Sequence, residues 1–168
     1  MVSQKAQAWG IDLMAAMTIF IVAITVFFVY SLNQSGEARS IIEDLNYDGK
    51  IFSNDLTSEG YPDDWVEANV VKIGLTNGGK INQIKLEKFY NFSQEDYART
   101  KLVFNLKYDY FFFFEENMTV GGLSVEGIGR PGVTRDFIEN EVSNFIKVTR
   151  LMVYEDKPIT ANVYIWEE

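Results

Sequence analysis

The sequence predicts an α+β fold in which a long N-terminal transmembrane and stalk helix precedes a small antiparallel-sheet head with packed helices. Three observations lead to this fold class. An apolar run covers residues 13–32 without a single charge. The segments after it show helical or alternating spacing of apolar residues, and aromatic residues make up 15% of the chain. We therefore expect one membrane span followed by one domain with its own core.

The apolar run is the first predicted element. As a helix that rises ~1.5 Å per residue, it is long enough to cross a hydrocarbon core of ~30 Å. Lys5 is the one basic side chain before it, which favours a cytosolic N-terminus and places the rest of the chain outside the cell. The run is longer than the apolar core of a removable secretory signal, and no convincing cleavage site follows it. We expect the helix to be retained as an anchor.

The second predicted element is an amphipathic stalk helix over residues 33–57. Ile41, Ile42 and Leu45 fall on one face of it. Gly60 and Pro62 then mark the boundary with the head at residues 58–168.

Residues 44–55 within the stalk, DLNYDGKIFSND, resemble a calcium loop of the EF-hand or dockerin type. Oxygen ligands would come from alternate positions, and Gly49 would turn the chain sharply. The candidate metal ligands are Asp44, Asn46, Asp48, Lys50 through its carbonyl, and Asp55. Calcium is the one candidate cofactor and none is certain, because a solvated turn or a frayed helix fits the same segment.

The head is predicted to contain strands that alternate with short helices. A strand at 69–76 leads into a turn at 77–79, and helices follow at 81–90 and at 94–104, the second capped by Ser93. An aromatic strand at 108–115 is expected to be buried on both faces. A glycine-rich loop region with one short strand precedes a hairpin of residues 144–154 and 159–166.

The composition excludes several classes of function. The chain contains no cysteine and no histidine, which removes the usual zinc and haem ligands, cysteine nucleophiles and histidine-based triads. We expect the protein not to be an enzyme. The net charge of −9 repels nucleic acid, so we expect no nucleic-acid partner.

The start of the chain resembles the prepilin signal of archaeal type IV pilins and archaellins. The resemblance rests on Lys5, Ala6 and Gln7, followed by Asp12 and the apolar run. It implies that a prepilin-type peptidase removes a leader at 1–6, that Gln7 begins the mature chain, and that the helix at 7–32 is retained. A cut after Gln7 is the alternative, because it restores the usual spacing to the acidic residue.

The same resemblance implies a role and a location. Asp12 would pair with the new N-terminal amine of a neighbouring subunit when helices assemble, and the pilin layout favours a helix that continues through residues 44–55. We expect a structural or adhesive surface subunit whose partners are membrane lipid, the peptidase, and copies of itself or other pilin-like subunits. It would reside in the cell membrane with its C-terminal domain outside, or in an extracellular filament. The alternative is a single-pass, membrane-anchored extracellular binding protein that does not polymerise.

Three asparagines lie in N-x-Ser/Thr tripeptides, the acceptor sequence for N-linked glycans on surface proteins. They are Asn33, Asn91 and Asn117. We expect a glycoprotein if the head lies outside the cell, with Asn33 the weakest candidate because it is closest to the membrane.

Overall fold

The computed structural model describes the backbone of residues 4–167 and the side chains of residues 10–32 and 40–167. The chain divides into two compact units, Met1–Ser40 and Ile41–Glu168. One α-helix, α1, covers Gln4–Leu56 and contributes residues to both. The second unit thus includes the last part of α1 together with the predicted head, and the name head is used for all of it.

The first unit contains the apolar stretch Gly10–Leu32, the one helical segment in the described part of the chain that is long and apolar enough to span a membrane. None of its most apolar window is buried in the protein. The hydroxyls of Thr18 and Thr25 donate to the carbonyls of Met14 and Ile21, each at 2.8 Å. These bonds satisfy the two hydroxyls within the helix, as an apolar environment requires.

The second unit is an α+β domain built on a mixed sheet. After α1 its elements are β1 (Thr76–Asn77), β2 (Lys80–Ile81), α2 (Gln83–Glu95), α3 (Tyr97–Val103), β3 (Asp109–Phe114), β4 (Met118–Val120), β5 (Leu123–Val125), β6 (Ile128–Gly129), α4 (Arg135–Glu141), β7 (Phe145–Tyr154) and β8 (Lys157–Trp166). Six strands pair in the order β1-β2-β7-β8-β3-β6, and β4 pairs with β5 separately. The expected antiparallel sheet is corrected in one place, because β2 runs parallel to β7.

The C-terminal hairpin confirms the predicted pair of strands, although β8 begins at Lys157, two residues before the predicted start at residue 159. β7 and β8 pair antiparallel along ten residues each, from Phe145 opposite Trp166 to Tyr154 opposite Lys157. The turn consists of Glu155 and Asp156, both with positive φ (49° and 61°). Such two-residue turns match the twist of the strands and fix their register.

The aromatic strand β3 is buried on both faces, as its sequence predicts. Tyr110, Phe112 and Phe114 belong to the main core, whereas Phe111 and Phe113 belong to a second cluster that α4 helps to cover. α4 itself was not predicted. The last four turns of α1 supply the other side of the main core through three fully buried side chains, which are Leu45, Phe52 and Leu56.

Capping side chains mark the starts of α2 and α3, the two helices that follow the β1–β2 hairpin. Asn82 accepts backbone N–H bonds from Ile84 and Lys85 and starts α2. The expected cap Ser93 is wrong, because it lies inside α2, where its buried hydroxyl donates to the carbonyl of Gly129 at 2.8 Å. α3 is capped instead by Asp96, whose carboxylate accepts the N–H of Arg99.

Candidate functional site

The apolar segment Gly10–Leu32 is the first candidate site. Its large apolar side chains are 42–73% exposed within the described structure. Asp12 is the one charged residue in the segment and is exposed on the helix. A carboxylate at the bilayer centre costs several kcal/mol, so in a membrane Asp12 would need water at headgroup level or a cationic partner.

The predicted processing signal falls outside what can be described in atomic detail. The backbone of Lys5, Ala6 and Gln7 is helical. Their side chains, like that of Asn33, lie outside the described residues.

Residues 44–55 lie entirely within α1, so this segment does not form the loop that was predicted for calcium. Successive side chains of an α-helix point about 100° apart, so ligands at alternate positions diverge and cannot enclose one ion. No group of three or more acidic side chains that could hold a metal is found in the part of the chain that is described. The side chains and the carbonyl that were predicted as ligands instead make separate contacts within the protein.

The three carboxylates of this segment have different partners. Asp44 lies 3.4 Å from the ammonium of Lys107, and Asp55 lies 2.8 Å from that of Lys72. Asp48 is 8% exposed and accepts the backbone N–H groups of Lys107 (3.0 Å) and Tyr108 (3.4 Å). Asp48 therefore joins α1 to the segment that enters β3.

The other members of the predicted loop also serve the helix. The amide of Asn46 donates to the carbonyl of Ile42 at 2.8 Å, and the carbonyl of Lys50 accepts the hydroxyl of Ser53 at 3.1 Å. A Cβ added at Gly49 would lie 2.6 Å from Ile146 Cδ1 and 2.9 Å from Val148 Cγ2. Gly49 thus lets the helix approach β7 closely and does not turn the chain.

The two remaining glycosylation candidates differ in accessibility. Asn91 is exposed in α2, but the hydroxyl-bearing Ser93 of its tripeptide is fully buried. Asn117 lies in the loop between β3 and β4, and both it and Thr119 are exposed. Asn117 also lines a cleft of about 520 Å³ between this loop and the turn of the β7–β8 hairpin. The folded domain therefore presents Asn117 as an acceptor better than Asn91.

A half-buried ionic cluster around Asp109 was not predicted. Its carboxylate lies 2.7 Å from Lys101 and 2.9 Å from Arg130, and it accepts the hydroxyl of Tyr97 at 3.1 Å. Burial raises the pKa of Tyr97, and the nearby negative charge of Asp109 raises it further. The cluster joins α3, β3 and the segment after β6. Its members come together only when the domain is folded.

Lys85 is a second group that sequence reasoning missed. It is 4% exposed, and its ammonium donates to the carbonyls of Glu59 (2.8 Å) and Thr76 (3.0 Å) and to the side chain of Asn77. Burial lowers its pKa, while the nearby Glu59 acts in the opposite direction. All three N–H donors of the ammonium have acceptors, so Lys85 links α2 to the β1–β2 hairpin.

No family model matches this sequence, and searches of curated proteins and of solved structures find no similar chain. The candidate sites therefore stand on their own chemistry. Of these, the exposed apolar helix with its single carboxylate is the feature that folding of the head does not explain.

Proposed function

We propose that this protein is a pilin-like structural or adhesive surface subunit, anchored by the apolar part of α1 and assembled with neighbouring subunits through the same segment. The observation that carries the proposal is the helix Gly10–Leu32, which is long and apolar enough to span a membrane and whose most apolar window is not buried inside the protein. Lipid or other apolar helices must cover that surface, since water would not.

Two further features support the pilin-like interpretation over a plain anchor. Lys5, Ala6 and Gln7 match the prepilin signal by sequence. α1 also continues through residues 44–55, as the pilin layout favours. A loop there would have disagreed with that layout.

Asp12 gives the proposal a specific mechanism. In lipid its charge is costly, and a helix neighbour's N-terminal amine would offset that cost through an ion pair. The amine becomes available only after the leader is removed. Processing and assembly are thereby coupled in this proposal.

N-terminal sequencing of the protein extracted from membranes tests the first half of the proposal. We expect a mature chain that begins at Gln7 or Ala8. Lys5→Ala should abolish the cut, whereas Lys50→Ala, an exposed lysine further along α1, should leave it unchanged. An intact Met1 on protein from cells that carry the peptidase would contradict the proposal.

Electron microscopy of material shed from the same cells tests the second half. Filaments should form with the parent protein and be lost with Asp12→Ala, and an exposed aspartate in the head, Asp64, provides the matched control as Asp64→Ala. A processed protein that stays monomeric in the membrane would support the single-pass anchor and contradict assembly.

A further inference from the structure

β7 has an open edge. Along one side its ten residues pair with β8 from Phe145 to Tyr154. On the other side the partner strand found among the described residues is the two-residue β2, which meets β7 at Val153. The stretch from Phe145 to Met152 therefore has no neighbouring strand on that side among the described residues.

The register shows which backbone groups face this edge. In a hairpin with a two-residue turn, the residues that flank the turn form a hydrogen-bonded pair, and the inward pairs then alternate. Tyr154 and every second residue before it point their N–H and C=O groups toward β8. The outward set is Phe145, Lys147, Thr149 and Leu151. Within the described part of the chain, no hydrogen bond to the outward backbone groups of this set is found.

The side chains near the edge leave it accessible. Leu151 is 78% exposed, and Lys147 and Thr149 are exposed as well. The ammonium of Lys147 lies over the rings of Phe113 (5.7 Å) and Tyr164 (5.9 Å), on the side toward β8 and β3. The strands at the two ends of the sheet, β1 and β6, are only two residues long each. Short edge strands limit pairing with other chains.

The charge of β7 indicates the chemistry of a partner. The strand contains no acidic residue and two basic ones: Lys147, which is exposed, and Arg150, whose guanidinium donates to the side chains of Ser53 and Asn54 in α1. We propose that the open edge of β7 binds an extended, acidic segment of a partner polypeptide as an additional strand. Backbone hydrogen bonds would supply the affinity, and carboxylates near Lys147 with an apolar side chain beside Leu151 would supply the selectivity.

A second copy of this chain is a poorer occupant. Pairing β7 with β7 would bring two basic strands together, which opposes association at low ionic strength. This proposal does not depend on processing, on Asp12 or on filament assembly, so each can fail without the other.

Amide hydrogen exchange of the full-length protein in detergent micelles tests whether the edge is open. The amides of Lys147, Thr149 and Leu151 should exchange much faster than those of Val148, Arg150 and Met152, which bond to β8. This alternation is specific to a strand that is paired on one side. Equal protection of both sets would mean that the edge is covered, and would overturn the proposal.

Titration with short synthetic peptides tests whether the edge of β7 binds an extended acidic segment. A peptide of alternating Glu and Val should bind and slow exchange at the outward amides, and a matched Lys–Val peptide should bind about tenfold more weakly, or not at all. Leu151→Pro removes one outward N–H and obstructs the edge without breaking a bond to β8, so it should abolish binding. Leu151→Thr keeps the N–H and should retain it.

Each outcome of the titration is decisive. Unchanged near-ultraviolet circular dichroism shows that Leu151→Pro is folded. Lys147→Glu, which leaves the backbone edge intact, should weaken the Glu–Val peptide by about tenfold and strengthen the Lys–Val peptide. Equal binding of the two peptides to the parent protein, full binding to Leu151→Pro, or dimers of the chain that Leu151→Pro dissociates would each overturn the proposal.

Discussion

The two parts of α1 place the same backbone structure in two different chemical settings. In Gly10–Leu32 apolar side chains surround the helix and none of the most apolar window is buried. From Ile41 onward only one stripe is apolar, and Leu45, Phe52 and Leu56 enter the core of the head. In the proposed function the first part is covered by lipid or by other helices, whereas the second is stabilised by its own domain. Substitutions should therefore affect the stability of the head only in the second part.

The largest difference is expected between two phenylalanines of α1. Phe52 is fully buried, with its ring centroid 4.5 Å from that of Phe104 and 4.6 Å from that of Tyr110. Phe52→Ala should lower the free energy of unfolding of the head by about 3–5 kcal/mol. Phe27→Ala, at a side chain that is 67% exposed, should leave it unchanged. Denaturant unfolding followed by tryptophan fluorescence measures both, and equal effects would contradict the division of α1.

Alkaline pH should produce the next largest effect, confined to the head. Burial raises the pKa of Tyr110 and of Tyr97, so the folded state keeps protons that the unfolded chain loses near pH 10. Stability should be fully present below about pH 10 and should fall as pH rises further. Tyr110→Phe should reduce this pH dependence of the unfolding free energy. Tyr47→Phe, at an exposed phenol, should not, and a dependence that is the same in both variants would refute the assignment.

Asp48 distinguishes the helix from the predicted calcium loop. Asp48→Ala leaves two backbone N–H groups without their buried acceptor, which should cost about 1–3 kcal/mol of unfolding free energy. The loss should be the same with millimolar calcium and with chelator. Asp44→Ala removes only an exposed ion pair and should have little effect. Stabilisation of the parent protein by calcium that Asp48→Ala abolishes would restore the metal hypothesis.

Gly10 and Gly49, two of the glycines of α1, should respond differently to alanine. Alanine favours a helix by about 1 kcal/mol, but at Gly49 its Cβ would press on Ile146 and Val148, which typically costs about 1–3 kcal/mol. We expect Gly49→Ala to destabilise the head slightly in thermal or denaturant unfolding. Gly10→Ala meets no atom within 4 Å and should not change head stability. A clear gain in stability at Gly49 would show that the helix and β7 are not in close contact.

The smallest effect on stability is expected from glycosylation of the head. Asn117 is exposed beside an open cleft, so a glycan there should change the unfolding free energy little. Glycopeptide mass spectrometry of protein from a cell that glycosylates surface proteins should find the modification at Asn117, and Asn117→Gln should remove it. Occupancy of Asn91 in place of Asn117 would show that the acceptor is chosen before the domain folds.

The parts of the fold that were predicted correctly are those fixed by local pattern. The apolar run, the doubly buried strand β3 and the β7–β8 hairpin each have a period or a turn that their own residues determine. The parallel pairing of β2 with β7 was missed, because it joins residues far apart in the sequence and involves a single pair, Lys80 and Val153.

The calcium segment shows why a motif can mislead. Asp44, Asn46 and Asp48 have the spacing of loop ligands, yet Leu45 and Phe52 in the same stretch have the spacing of a buried helical face. Burial of these apolar side chains outweighs a turn that only Gly49 favours. The ion pairs of Asp109 and the hydrogen bonds of Lys85 could not be predicted either, because their partners come together only through tertiary structure.

Labelling of single cysteines tests the central claim most directly, and the chain offers a clean background because it has none of its own. Val22→Cys lies within the apolar segment and Ser124→Cys on the exposed strand β5 of the head. In intact cells, a membrane-impermeant maleimide should label Ser124→Cys and should leave Val22→Cys unlabelled until the protein is denatured. Rapid labelling of Val22→Cys in intact cells would contradict an apolar setting for this helix, and protection of Ser124→Cys would contradict a head outside the cell.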